Sequence, residues 1–147
     1  MTRQVRSSMT IASATLAELR RRARDAATRA YAPYSRFPVG AAVLAADGTI
    51  HAGANVENAS FGLSICAERA AIFQAVAQGT RQIEAIVIYT PTAVATTPCS
   101  ACRQVIHEFG PGALVVCCTD DEQAERRYAL AELLPAAFAT DALAGRR

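Results

Sequence analysis

Two short stretches, Cys66-Ala67-Glu68 and Pro98-Cys99-Ser100-Ala101-Cys102, constrain the fold of this chain more than any other feature. Cys99 and Cys102 are three residues apart and share one face of a helical first turn, so together they can grip one ion. Cys66 must then be carried to them from elsewhere in the chain. Zinc favours tetrahedral sulfur and nitrogen ligands, and a site that does chemistry keeps three protein ligands and leaves one position for water. Three cysteines satisfy that count, and Glu68 supplies a carboxylate two residues after the first of them.

Each cluster opens a helical pattern. The spacing predicts one helix from about Cys66 to Gln78, with Ala70, Ile72, Phe73, Val76 and Ala77 as apolar positions and Gly79 at its end. It predicts a second from Pro98 to Phe109, with Thr97 as cap, Pro98 in the first turn and Gly110 closing it. Two helix starts pointing at one spot gather free N–H groups and positive dipole ends there, which favours thiolate over thiol. Zinc with three thiolates carries a net charge of about −1. Arg69 and Arg103, each closely following a ligand cysteine, are the expected counter-charges. At the helix end Glu68 can reach water on the metal, take its proton and deliver it to a leaving nitrogen, the arrangement known for zinc deaminases. The competing reading is a structural knuckle with Cys117 or Cys118 as fourth ligand. As neighbours in a strand those two face opposite sides, and both are read as buried small residues.

The 147 residues are one domain's worth of chain, and 52% hydrophobic against 19% charged content is that of a folded soluble protein. A net charge of +2 gives no case for nucleic acid. Five cysteines, four of them in close pairs, fit a reduced compartment and metal binding better than a disulfide framework. The expectation is a cytoplasmic protein with no signal peptide and no membrane span.

Residues 1–12 are read as a mobile tail, 13–140 as a single domain and 141–147 as a second tail. A helix starts near Ser13, where Thr15 and Glu18 have capping-box spacing, and Leu16, Leu19, Ala23, Ala26, Ala27 and Ala30 form its apolar stripe. Its arginine-rich outer face is read as solvated, with no aromatic residues interleaved. A turn-rich aromatic loop, Tyr31 to Pro38, precedes a strand from Val39 to Ala46; Asp47-Gly48 turns it into a second strand from Thr49 to about Val56. Asn55 and Glu57 lie two apart at its end and project to one side, an amide beside a carboxylate that suits a sugar hydroxyl. Ile83 to Tyr89 reads as a buried strand, Ala113 to Thr119 as a fourth and Arg126 to Leu130 as a fifth, before a short helix broken at Pro135. Helices alternating with strands imply an α/β protein, a three-layer α/β/α sandwich around a mixed five-stranded sheet.

From about Ala30 to Phe138 the sequence resembles the small homotetrameric cytidine deaminases. The resemblance lies in Tyr34-Ser35-Arg36-Phe37-Pro38-Val39-Gly40, Asn55-Val56-Glu57-Asn58-Ala59-Ser60-Phe61-Gly62, Ile65-Cys66-Ala67-Glu68-Arg69, Pro98-Cys99-Ser100-Ala101-Cys102-Arg103-Gln104 and Glu132-Leu133-Leu134-Pro135. It implies one zinc ion per subunit on Cys66, Cys99 and Cys102, with Glu68 as proton shuttle. It implies Phe37 packed on a pyrimidine, Asn55 and Glu57 on the ribose 3′-hydroxyl, and the Ala67 amide and Thr97 carbonyl on the base. Phe138 would close the pocket of a neighbouring subunit. Phe61 stands where the family often has tyrosine, and the loop from Thr92 to Thr97 is apolar where the family often carries charge. The implied reaction is hydrolysis of cytidine and deoxycytidine at C4 to uridine, deoxyuridine and ammonia, as in pyrimidine salvage. The alternatives are a deaminase of nucleoside-like antibiotics such as blasticidin S, an RNA- or DNA-acting deaminase, and a zinc-stabilised module without activity. A carboxylate at Glu57 would repel a phosphodiester, and the Asn58 to Gly62 block favours the nucleoside enzyme over the antibiotic one.

Overall fold

A computed structural model describes residues 10–144. The first nine residues of the expected N-terminal tail lie outside it. Helix α1 (Ser13–Ala27) leads into the hairpin β1 (Gly40–Ala45) and β2 (Ile50–Ala54), followed by α2 (Ala67–Ala77), β3 (Ile83–Tyr89), α3 (Ser100–Phe109), β4 (Leu114–Cys118), β5 (Arg126–Ala129), α4 (Leu130–Leu133) and α5 (Asp141–Ala144). The five strands form one mixed sheet in the order β2-β1-β3-β4-β5. Only β3 and β4 run parallel, joined through α3, and every other neighbouring pair is antiparallel.

The sheet is covered on both faces, which gives the three layers expected from the sequence. On one face Leu16, Leu19, Ala23 and Ala27 of α1 pack on Ala42, Leu44, Val87, Tyr89, Val116 and Cys118. On the other, Ala67, Ala71, Ile72 and Ala75 of α2 and Ile106 of α3 pack on Ala41, Val43, Ile86, Ile88, Val115 and Cys117. Alternation along β4 thus sends Cys117 and Cys118 to opposite faces. Ile72 and Ile106 are fully buried, worth about 2 kcal/mol each in apolar surface removed from water. Two glycines set the layer spacing. A Cβ on Gly40 would stand 1.9 Å from the Ala23 carbonyl oxygen, and one on Gly53 would stand 2.5 Å from the Ala71 nitrogen, so α1 and α2 lie directly against backbone.

Several local expectations are corrected. The first helix begins at Ser13 with Ala12 before it and has no side-chain cap; Thr15 lies inside the helix and Glu18 pairs with Arg21 at 2.7 Å. Helix α3 begins at Ser100 rather than Pro98. Its N-cap is Cys99, not Thr97, and Pro98 is buried before the helix starts. Residues 141–144, expected in a tail, form one helical turn. The arginine face of α1 is laced with carboxylates: Arg20 meets Glu125, Arg24 meets Asp120 and Arg29 meets Asp25. Among the described residues no helix is long and apolar enough to cross a membrane.

The register puts several loops at one edge of the sheet. Gly40 pairs with Ala54 on one side and Tyr89 on the other, so the chain before β1, after β2 and after β3 emerges together. Beyond β2, Val56 bridges both Tyr31 and Ile65. That second bridge closes the 57–64 loop and delivers Cys66 to the start of α2.

Candidate active site

Cys66 is the N-cap of α2 and Cys99 the N-cap of α3, while Cys102 sits in the first turn of α3. The three sulfurs lie within 4.8 Å of one another, and Cys66 Sγ and Cys99 Sγ are 3.9 Å apart. Tetrahedral zinc with bonds of about 2.3 Å holds its sulfurs about 3.8 Å from each other, so the cluster has the dimensions of the ion's ligand set. Electrostatics agree. Hydrogen bonding from Cys102, with the Arg69 guanidinium, holds the Cys66 thiol well below the ordinary thiol range; sharing that bond and burial push Cys102 the opposite way. Taken alone, the sulfurs compete for one negative charge. A divalent cation is what lets three thiolates occupy so small a space. Among the described residues this is the only group of three or more cysteine, histidine or acidic side chains placed to hold a metal.

Glu68, in the first turn of α2, is buried with 5% exposure. Burial pushes its carboxyl up to about 7, with the Cys66 thiolate adding to the effect and hydrogen bonds from its own backbone amide and Cys102 opposing it. Arg69 donates from Nη2 to Cys66 Sγ at 3.3 Å. Arg103 does not share that role. Its Nε donates to the Pro98 carbonyl and its Nη1 to the Leu133 carbonyl, both at 2.8 Å, and Nη2 reaches Thr97 Oγ1 at 3.4 Å. The guanidinium expected against sulfur instead grips backbone.

A cavity of about 370 Å3 opens beside the sulfurs. Phe37, Asn55, Glu57, Cys66, Ala67, Glu68, Thr97 and Cys99 all contribute to its wall. Phe138 does not: it lies 63% exposed, its carbonyl accepting from Gln104 Nε2 at 2.9 Å. Ser35, Val39, Ile88 and Thr96 also line the cavity. Sequence reasoning missed them, although Ser35 and Val39 each lie two residues from Phe37 and Thr96 lies beside Thr97; Ile88, inside β3, carried no such signal.

Asn55 and Glu57 both hold the aromatic loop. Asn55 Oδ1 accepts from the Val39 amide and its Nδ2 donates to the Phe37 carbonyl, each at 2.8 Å, one on either side of Pro38. Glu57 accepts from the Tyr34 amide at 2.8 Å, the Ser35 amide at 3.2 Å and the Ser35 hydroxyl. The hydroxyl bond, with the two amides behind it, keeps the exposed Glu57 carboxyl below the usual carboxylate range. Arg36 turns through a left-handed backbone at φ 55° between these anchors.

Residues 13–118 match the family described as the cytidine and deoxycytidylate deaminase zinc-binding region. The chain belongs to that deaminase family. A cytidine deaminase of Sporosarcina psychrophila is 45% identical over 120 residues, 82% of this chain and 88% of the relative. One from Mycobacterium tuberculosis is 42% identical over 125 residues, covering 85% of this chain and 90% of the relative. Among solved structures, cytidine deaminase from Burkholderia pseudomallei superposes with a TM-score of 0.78 at 45% identity, covering 83% of this chain and 98% of that one. The Mycobacterium tuberculosis structure gives 0.73 at 40%, covering 84% and 97%. The family is a zinc-binding one, and Cys66, Cys99 and Cys102 form a cluster that could hold that ion.

Proposed function

We propose that this chain is a zinc-dependent cytidine deaminase, converting cytidine or deoxycytidine and water to uridine or deoxyuridine and ammonia. The observation that carries the reading is a buried carboxyl, Glu68, beside three convergent cysteine sulfurs in a cavity of nucleoside size. Relatives named as cytidine deaminases at 42–46% identity supply the substrate class.

Cys66, Cys99 and Cys102 would hold the zinc ion. Its Lewis acidity activates water at neutral pH. Glu68 is the proton carrier: burial pushes its carboxyl up to about 7, so it can accept one proton from the attacking water and donate it to N3 of the pyrimidine, then take the second from the hydroxyl formed at C4 and pass it to the departing amine. Arg69 offsets the thiolate charge through Cys66. Phe37 packs on the base, the Ala67 amide and Thr97 carbonyl hold the base edge, and Asn55 and Glu57 receive the ribose. Both already anchor the Phe37 loop, which makes loop and sugar site one unit. Glu57 also disfavours a phosphate there, so free nucleosides are preferred over nucleic acid.

Phe138 is assigned to the pocket of a neighbouring copy in a homotetramer, a reading supported by its exposure and by that of Phe61, Leu63, Phe73 and Val94. A cytoplasmic location fits five free cysteines. Turnover of cytidine, followed by loss of pyrimidine absorbance, tests substrate, reaction and metal together. Activity falls on zinc chelation and returns on zinc addition, and Glu68→Gln keeps its zinc while losing at least about 100-fold in kcat. Retained turnover in Glu68→Gln refutes the shuttle.

A further inference from the structure

We infer that Arg103 and Gln104 form a clamp that sets the metal-ligand loop against the C-terminal segment 133–138, Arg103 being a positioning residue rather than a counter-charge. The inference deepens the zinc deaminase reading and rests on it for the identity of the ligand loop.

Arg103 follows Cys102 directly on α3, and its three guanidinium nitrogens are all engaged. The Pro98 carbonyl precedes the N-cap and has no place in the helical ladder. The Leu133 carbonyl is the last of α4. Both are backbone acceptors that the helices themselves leave unmatched, and one fork satisfies them together. The third contact, to Thr97 Oγ1, reaches a residue of the cavity wall. The Arg103 amide also donates to the Cys99 carbonyl at 3.0 Å, so main chain and side chain hold consecutive residues of the ligand loop.

Gln104 holds the other end of the segment through the Phe138 carbonyl at 2.9 Å. Between the two anchors Ala136 adopts a left-handed backbone at φ 51°, a conformation that disfavours any residue with a Cβ. A strained residue bracketed by two side-chain anchors from adjacent helix positions is a segment held in place rather than one at rest. The clamp therefore fixes where Thr97 and Cys99 sit and how Phe138 is presented, two features that otherwise belong to distant parts of the chain.

A counter-charge needs only a cation, whereas this clamp needs a planar fork with donors at fixed angles. Arg103→Lys separates the two. Zinc-loaded protein without substrate is followed by amide hydrogen exchange and by zinc transfer to a chromogenic chelator. Exchange at residues 131–138, and at Thr97 and Cys99, is expected to quicken about tenfold or more in both Arg103→Lys and Arg103→Ala, with faster zinc transfer in each. Wild-type exchange and zinc transfer in Arg103→Lys overturn the clamp in favour of charge. Gln104→Met leaves Arg103 in place and is expected to quicken exchange only around 136–138; unchanged exchange there overturns the inference even if the Arg103 variants do not fold. Adding Ala136→Gly to Arg103→Lys relieves the strain and should recover part of the lost protection. Loss of cytidine turnover with exchange unaltered counts against the clamp and leaves the deaminase assignment standing.

Discussion

Replacing Asn55 with alanine tests whether the sugar end of the cavity and the aromatic loop are one structure. The side chain makes two hydrogen bonds of 2.8 Å to backbone groups flanking Pro38, and alanine makes neither. At about 1 kcal/mol net for each, Asn55→Ala loses about 2 kcal/mol. For a chain of this size that is a fall in Tm of about 4–8 °C. The loop carries Phe37 into the cavity, so the same energy, if it loosens the loop before substrate binds, raises KM for cytidine by up to about 30-fold. The effect on kcat is smaller, because Glu68 and the three cysteines stand on α2, α3 and their caps. Steady-state kinetics on cytidine and 3′-deoxycytidine, beside thermal melts, separate the roles. Should Asn55 also hold the 3′-hydroxyl, the variant loses its preference for cytidine over 3′-deoxycytidine; a staple alone raises both KM values together. A melt within a degree of the parent and an unchanged KM refute the loop role.

Two further outcomes follow from packing and burial. Gly40→Ala forces α1 back from the sheet by about 1.5 Å to clear the Ala23 carbonyl, an overpacking cost of about 3 kcal/mol, so Tm falls by about 6–12 °C while the folded fraction keeps its zinc; a shift under 2 °C on a thermal melt contradicts the close contact. Burial pushes Cys118 up to about 11 and Cys117 up to about 12. At pH 8 the Cys118 thiolate fraction is then about 100-fold below that of an ordinary thiol, so iodoacetamide labelling read by mass spectrometry is slow in the native protein and rises about tenfold per pH unit. Because both values are raised, the stability they allow is complete below the ordinary thiol pKa near 9 and declines as pH climbs toward 11–12. Labelling at pH 8 as fast as in the unfolded chain contradicts this.

The layers were readable because periodicity reports burial. Ile83 to Tyr89 is apolar nearly throughout and forms β3 with those bounds, and Asp47-Gly48 turns the hairpin as its residue types require. The start of α3 was not readable. Proline suits a first helical turn and threonine suits a cap, yet a cysteine turned toward its fellow ligands occupies the cap and moves the helix on by two residues. Composition points to the sulfurs and to Glu68 because their chemistry is in the residue types. It does not reveal that Arg103 serves the Leu133 carbonyl 30 residues on, or that Asn55 serves backbone 16 and 18 residues back, since such contacts exist only once the sheet has gathered its loops.

Cys66 and Cys99 occupy positions where serine, threonine, asparagine or aspartate would normally fasten the first turn, and neither side chain makes a capping bond to the backbone of its helix. Two helices of one layer have thus given up their own end fastenings in favour of a shared inorganic rivet. Chelation should accordingly fray both at once, and the ion that serves the reaction is also a structural fixture of that half of the molecule.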